Sequence, residues 1–188
     1  MIYINELVME FEAKDKSIVK IRPLEISDAS DLVESVRTIV EAGSYIQKDV
    51  PRTVDEEKAF ILEMKEKKNM YVGVEWNGKV VGLARVIRGE IKMKKHTGLF
   101  RTWLTDEVQG LGIGKKIMEY TDKWCIENNL RKLCLTVFAS NEIAYNLYEK
   151  YGFVKEGVQI DQAYINGVYD DEIWMGKFYD VDNPIEQR

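Results

Sequence analysis

The chain has 188 residues, of which 45% are hydrophobic and 31% charged, and its formal net charge is −5. That length and balance suit one compact domain with a buried core and exclude a disordered chain. No apolar run approaches the roughly 18 residues of a membrane span, and an acidic balance argues against nucleic acid as a general partner while suiting a cationic or amine substrate.

The N-terminal stretch, residues 2–11, alternates loosely and is expected to add a strand ahead of the main fold; residues 1–16 are set apart on that ground. It lacks the basic-then-apolar pattern of a signal peptide, so a cytoplasmic protein is expected. Asp15–Ser17 reads as a turn and Ile18–Arg22 as a strand closed by Pro23. Ser27 or Asp28 is placed to cap a helix whose inner stripe is Ala29, Leu32, Val33, Val36 and Val40, ended by Gly43. Thr53 and Glu56 have the spacing of a capping box before a second helix, with Phe60, Ile61 and Met64 inward. Met70–Trp76 and Lys79–Val86 flank Asn77-Gly78, a strong hairpin signal. A basic link, Lys92–His96, leads to a strand near Gly98–Thr105.

A glycine segment, Gln109-Gly-Leu-Gly-Ile-Gly114, precedes a helix with Ile113, Ile117, Tyr120 and Trp124 on one stripe. Lys132–Phe138 is a strand, apolar at Leu133, Leu135 and Val137; a helix follows from about Asn141 to Tyr151, ended by Gly152. Phe153–Ile160 and Val168–Phe178 read as two last strands around Asn166-Gly167, with 179–188 as a tail. Strand–helix alternation after an antiparallel section implies an α/β chain with a mixed sheet. Cys125 and Cys134 have no metal or redox spacing and read as small buried residues, so no metal is expected.

Two segments carry chemistry. Glycines between a strand and a helix let the backbone approach a ligand, and the first helical N–H groups then face an anion such as a pyrophosphate. Gly-Lys-Ser/Thr is missing, which disfavours a P-loop. The G-x-G-x-G spacing, with no acid after Val137-Phe138, disfavours a dinucleotide fingerprint. Taken alone, the segment is equally a turn that starts a helix. The second segment runs from Asn141 to Phe153 and places Asn141, Ala144 and Tyr148 on one helical face. A small residue between polar ones makes a groove, and Tyr148 offers a phenol able to donate a proton. Taken alone, this is also a core helix with wetted tyrosine hydroxyls.

The pair in register resembles the GNAT superfamily of N-acetyltransferases. Gln109, Gly112 and Gly114 match its Gln/Arg-x-x-Gly-x-Gly/Ala motif, and Asn141 to Phe153 match Asn-x-x-Ala-x-x-Leu-Tyr-x-x-x-Gly-Phe. Thr53–Ile61 and Glu156–Met175 are similar to bacterial ribosomal-protein and amino-acid N-acetyltransferases. The resemblance implies a mixed, mostly antiparallel α+β sheet with flanking helices, its fourth and fifth family strands splayed to admit the pantetheine of acetyl-CoA. It implies that Thr102, Trp103 and Leu104 offer backbone groups to that arm, the Leu104 N–H polarising the thioester carbonyl. Gln109, Gly110, Leu111, Gly112, Ile113, Gly114 and Lys115 would wrap the pyrophosphate. Asn141 would bond the pantetheine amides beside Ala144, and Tyr148 would protonate the leaving thiolate.

The implied reaction is direct transfer of acetyl to a primary amine of a small molecule, an amino acid or a protein N-terminus. The expected partners are an amine substrate and, since relatives often form dimers, a second copy of the chain. The general base departs from the family pattern. Where relatives carry a glutamate, this chain has Thr136 on one strand and Leu99 on the other. His96, Glu41, Asp171 and Glu172 are candidates, as is proton loss through water. Glu41, Tyr45 and Tyr164 are expected to line the acceptor site. A catalytically silent CoA-binding regulatory module and a transferase of a larger acyl group stay open as alternatives.

Overall fold

The computed structural model describes residues 7–43, 45–47 and 50–181. Among them lie eight strands in one sheet, ordered β1-β2-β3-β4-β5-β6-β8-β7. The β5/β6 pair is parallel. The β1/β2, β2/β3, β3/β4, β6/β8 and β7/β8 pairs are antiparallel, so the sheet is mixed and mostly antiparallel. The chain divides into two compact units, Met1–Ile87 with Arg101–Trp124, and Arg88–Phe100 with Cys125–Arg188. No helix among the described residues is long and apolar enough to cross a membrane.

The first unit contains β1 (Met9–Glu12), β2 (Ile18–Pro23), α1 (Ala29–Glu41), α2 (Val54–Glu66) and β3 (Met70–Trp76). It also holds most of β4 (Lys79–Arg88), the end of β5 (Thr97–Leu104) and most of α3 (Ile113–Glu127). The expected N-terminal strand is thus Met9–Glu12, while residues 2–6 of that expectation lie outside the described residues. β3 is buried from Met70 through Val74, as a strand covered on both faces requires. One face packs α1 and α2 through Leu24, Leu32, Ile61, Met64, Tyr71 and Leu83. In α3 the residues Ile113, Ile117, Tyr120 and Trp124 are each 2% exposed or less, so the predicted stripe is the buried one.

The start of α1 differs from the sequence expectation. Asp28 precedes the helix but makes no side-chain cap bond to it. Its carboxylate instead takes both ends of the Arg22 guanidinium, at 2.8 and 2.9 Å, and the Glu25 N–H at 2.8 Å. A bidentate charged fork outcompetes a neutral helix N–H. The Arg22 Nε donates to Glu75 at 2.7 Å, tying β2 to β3. Along α1, Val36 and Val40 are only half-buried and Ile39 joins the core in their place. The second helix keeps its predicted capping box, Thr53 with Glu56.

The second unit contains β6 (Lys132–Phe138), α4 (Glu142–Lys150), β7 (Val154–Ile165) and β8 (Val168–Phe178). β5 and β6 pair at Thr97↔Lys132, Gly98↔Leu133 and Leu99↔Cys134. β6 lies antiparallel to β8 from Lys132↔Phe178 to Phe138↔Glu172. β7 runs to Ile165, five residues past its expected end. Its register shifts between Gln159 and Ala163, where Asp161 has φ +51° and its N–H is held by the Asp171 carboxylate at 2.9 Å. A polar bulge of this kind reads in sequence as the end of a strand. Residues 182–188 of the expected tail lie outside the described residues.

Burial alone would raise the Asp28 carboxyl; the Arg22 fork and the Glu25 N–H outweigh it and hold Asp28 below the ordinary carboxylate value. A depressed carboxyl adds stability above its unfolded value of about 3.9 and loses it as pH falls through the lower folded value. Asp28→Asn is therefore expected to cost about 2 kcal/mol at pH 7, the worth of hydrogen bonds to a charged group. Urea titrations should show that cost shrinking in strong acid, where the wild-type carboxyl is also protonated. A difference independent of pH would contradict this account.

Candidate functional site

In the first unit, β5 ends at Leu104 and a single turn, Asp106–Val108, leads to Gln109. Val108 is fully buried and anchors this turn. The Gln109 side-chain amide donates back to the Leu104 carbonyl at 3.1 Å and to the Asp106 carboxylate at 3.0 Å. Its nitrogen is thus committed to bracing the turn. Gly110 and Gly112 then take φ +77° and +86°, the left-handed region where a Cβ is costly. A Cβ on Gly110 would meet nothing within 4 Å, so the backbone there is open to a ligand. α3 begins at once, with Ile113 buried beneath it and Gly114 and Lys115 in its first turn. The first N–H groups of a 15-residue helix have no intrahelical partner and carry the positive end of its dipole.

The N-terminal segment supports this turn. The Lys14 N–H donates to the Leu111 carbonyl at 3.2 Å. The Lys14 side chain passes 3.7 Å from where a Gly112 Cβ would stand, placing a second cation near the turn besides Lys115. Lys14 sits in a stretch with no motif, and sequence reasoning missed it. Nearby, the Thr102 hydroxyl donates to the Leu83 carbonyl at 2.7 Å, and the Thr105 N–H to the Val81 carbonyl at 2.9 Å. β5 approaches β4 closely because Gly82 lacks a side chain: a Cβ there would fall 2.4 Å from the Leu104 side chain and 3.0 Å from the Trp103 carbonyl. Trp103 packs against the α1/α2 core with Phe60.

A charged cluster occupies that same face. Glu57 of α2 is 5% exposed. The Tyr71 hydroxyl donates to one of its oxygens, and the Arg52 guanidinium donates to the other at 3.1 Å. Arg52 also lies 3.8 Å over the Phe60 ring, which meets Tyr71 edge-on at 5.2 Å. Burial and the Glu57 charge push the Tyr71 phenol far up, so it stays a neutral donor. Arg85, paired in register with Tyr71 across β3 and β4, lies 5.7 Å from the same ring. Its Nε is buried with no hydrogen-bond partner. Glu57 was legible in principle, since it falls four and seven residues before Ile61 and Met64 on their stripe.

In the second unit, Asn141 is the N-cap of α4, its side-chain oxygen accepting from the Ala144 N–H at 3.3 Å. The remaining hydrogen-bonding group of that side chain is its NH2, which can donate two protons. Tyr148 is buried, with its ring edge-on to Phe100 at 6.3 Å and tilted against Phe153 at 5.7 Å. The helical face predicted from spacing is therefore one cap, one small residue and one packed phenol.

The candidate bases stand in different settings. Asp171 holds the Asp161 bulge, and its carbonyl accepts from the Ala139 N–H. Glu172 is buried in β8 opposite Phe138 and Gln159. The His96 carbonyl accepts from the Arg131 and Lys132 N–H groups, and its Nδ1 is buried without a partner. Leu99 pairs with Cys134, and Thr136 is buried within β6. Burial raises the Cys134 thiol, which keeps it unreactive. Of the expected lining residues, Glu41 ends α1 on the surface and Tyr45 is 44% exposed, both in the first unit. Tyr164 belongs to the second, is 66% exposed and packs on Tyr169.

These features agree with comparisons to known proteins. The model of the acetyltransferase (GNAT) family matches residues 36–153. A spermidine N(1)-acetyltransferase of Escherichia coli K12 is 27% identical over 158 residues, which is 84% of each chain. The L-amino acid N-acetyltransferase AaaT of the same organism is 30% identical over 103 residues, 54% of this chain and 63% of that one. The phosphinothricin acetyltransferase of Sinorhizobium meliloti, solved with acetyl-CoA, superposes with a TM-score of 0.79 at 17% identity, covering 94% of this chain and 97% of that one. The chain belongs to the GNAT family and is an acetyl-CoA-dependent N-acetyltransferase.

Proposed function

We propose that the chain transfers acetyl directly from acetyl-CoA to the primary amine of a small molecule, an amino acid or a protein N-terminus, with both substrates bound together. The observation that carries this reading is the left-handed Gly110/Gly112 turn opening α3, with Lys14 and Lys115 beside it. Free backbone N–H groups, a helix dipole and two cations suit a diphosphate better than any neutral guest. Two of the relatives named above act on amines of different kinds, spermidine and L-amino acids, which supports an amine acceptor.

In the proposed reaction the neutral amine nitrogen attacks the acetyl carbonyl carbon. The backbone N–H of Leu104 steadies the oxyanion, as a preorganised donor does. The C–S bond breaks, the thiolate takes the phenolic proton of Tyr148, and the nitrogen releases its extra proton through water to solvent. The Asn141 amide protons bond the pantetheine carbonyls. Packing of Tyr148 against Phe100 and Phe153 fixes the direction of its hydroxyl. The commitment of Asp171 to the β7 bulge supports release through water.

Two variants test this reading. Tyr148→Phe keeps the ring packing and removes the proton, so turnover is expected to fall by about a hundredfold or more. Acetyl-CoA affinity, measured by calorimetry, should stay within about twofold. An unchanged turnover across the pH range would remove Tyr148 from the mechanism. Gly112→Val places a branched side chain at φ +86°, at a cost of about 1–2 kcal/mol, and crowds the turn. Its acetyl-CoA Kd should rise at least tenfold while circular dichroism stays native. An unaltered Kd would sink the assignment of the turn. A thiol-release assay over an amine panel then reads the acceptor class.

A further inference from the structure

Among the described residues, the buried side-chain atoms without a hydrogen-bond partner are the His96 Nδ1, in the second unit, and the Arg85 Nε, in the first, which the acetyl-CoA reading does not use. The Arg85 Nε is buried without a hydrogen-bond partner, in a strand whose Val80, Val81, Leu83, Ala84 and Val86 are all buried. A neighbouring carboxylate exists, but Glu57 has one oxygen engaged by Tyr71 and the other by Arg52. Arg85 instead stands by the Phe60 ring, within reach of the like charges of Arg52 and Arg101, which together with burial pull its guanidinium below its ordinary value. Arg101 itself donates to the Gln47 side chain at 3.2 Å. The charges of Arg52 and Arg101 thus both act on Arg85, and Arg52 holds Glu57.

A buried charged donor without an acceptor is costly, and an arginine is kept there only if something supplies the acceptor. We propose that Arg85 receives a carboxylate carried by the acceptor, so that the amine acetylated belongs to an amino acid and not to a polyamine. The inference rests on the reading above that the chain acetylates an amine. The planar guanidinium fork matches a carboxylate with two parallel bonds. Phe60 and Tyr71 offer apolar ring surface beside it for a side chain. The same cationic surroundings repel a polyamine, which brings only positive charge.

The placement suits the chemistry. The Thr102 hydroxyl meets β4 at Leu83, two residues from Arg85, or about 7 Å along the strand. Trp103 packs into the same core as Phe60. Leu104, whose N–H is assigned to the thioester, meets β4 at Gly82, three residues or about 10 Å along the strand from Arg85, and all of these residues belong to the first unit.

The test is an acetylation assay on the whole protein with L-amino acids, the matching amino-acid amides and spermidine, beside calorimetry with acetyl-CoA. The wild type is expected to prefer the acids over their amides and over spermidine by at least tenfold in kcat/KM. Arg85→Gln should raise KM for the acids at least tenfold, and the acid-to-amide ratio should fall toward one; Arg85→Lys, which keeps the charge but not the fork, should lie between. Because the native arginine is unpaired, Arg85→Gln should hold or raise the Tm of the ligand-free protein, whereas an arginine kept for structure would lower it. Equal use of amides or spermidine overturns the proposal, as does a ratio unmoved by Arg85→Gln. So does a panel of amino acids that neither turns over nor raises the Tm of the CoA-saturated protein. Acetyl-CoA affinity is read separately, so failure of the cofactor reading is distinguishable from failure of the carboxylate subsite.

Discussion

A carboxylate buried beneath α2 sets the terms for the face of the first unit that carries acceptor chemistry. Glu57 cannot be left bare, because an unpaired buried ion costs several kcal/mol. It is answered by the Tyr71 hydroxyl from β3 and by Arg52 from the segment before α2. Each answer fixes more structure. Tyr71, its phenol pushed up by burial and by Glu57, is held as a neutral donor. Arg52 is drawn across the Phe60 ring, and the chain that carries it enters the Thr53–Glu56 capping box one residue later. Glu57 is bonded by Tyr71 and Arg52, while the Arg85 Nε has no hydrogen-bond partner among the described residues.

The turn proposed to hold acetyl-CoA is braced mainly through the backbone. Leu104, Gln109 and Asp106 are laced by one side-chain amide, and Leu111 is tied to Lys14. These bonds brace a turn whose two glycines are left-handed, directly before α3 starts. Gly82 makes the companion adjustment in β4, where any side chain would displace Leu104. Rigid elements with small residues at close approaches are what a ligand backbone site requires.

Much of this was legible in the sequence, for reasons that can be named. Period and turn chemistry located β3, β6, α2 and the Asn77-Gly78 turn, since each is governed by local rules: burial on both faces, a capping box, residues tolerant of positive φ. The glycine segment was legible as a turn into a helix, because a strand end, alternating glycines and a helical apolar stripe meet there. What escaped was set by partners distant in sequence. Asp28 looked like a cap until Arg22 claimed it, and Phe153–Ile160 looked complete until Asp171 held a bulge that carries β7 on to Ile165. Lys14 reaches the glycine turn from nearly a hundred residues away and bears no local mark of it. Asn141 was read as a ligand-binding amide, and its oxygen serves as a helix cap, which the spacing alone did not reveal.

The same division explains why likeness to a spermidine enzyme does not carry the acceptor with it. The family motifs lie in Gln109–Gly114 and Asn141–Phe153, the segments proposed above to hold acetyl-CoA. Arg52, Glu57, Arg85 and Arg101 lie in neither, on α2, its approach and the strands beneath it. A chain can therefore keep the cofactor motifs unchanged while the charge on the α1/α2 face is redrawn for a different amine. Local rules are broken in that face, with a carboxylate on an inner stripe and a guanidinium in an apolar strand. Such breaks cost stability and persist where they serve a ligand. The acceptor of this enzyme is thus to be read from what its own buried charges lack, and Arg85 lacks an anion.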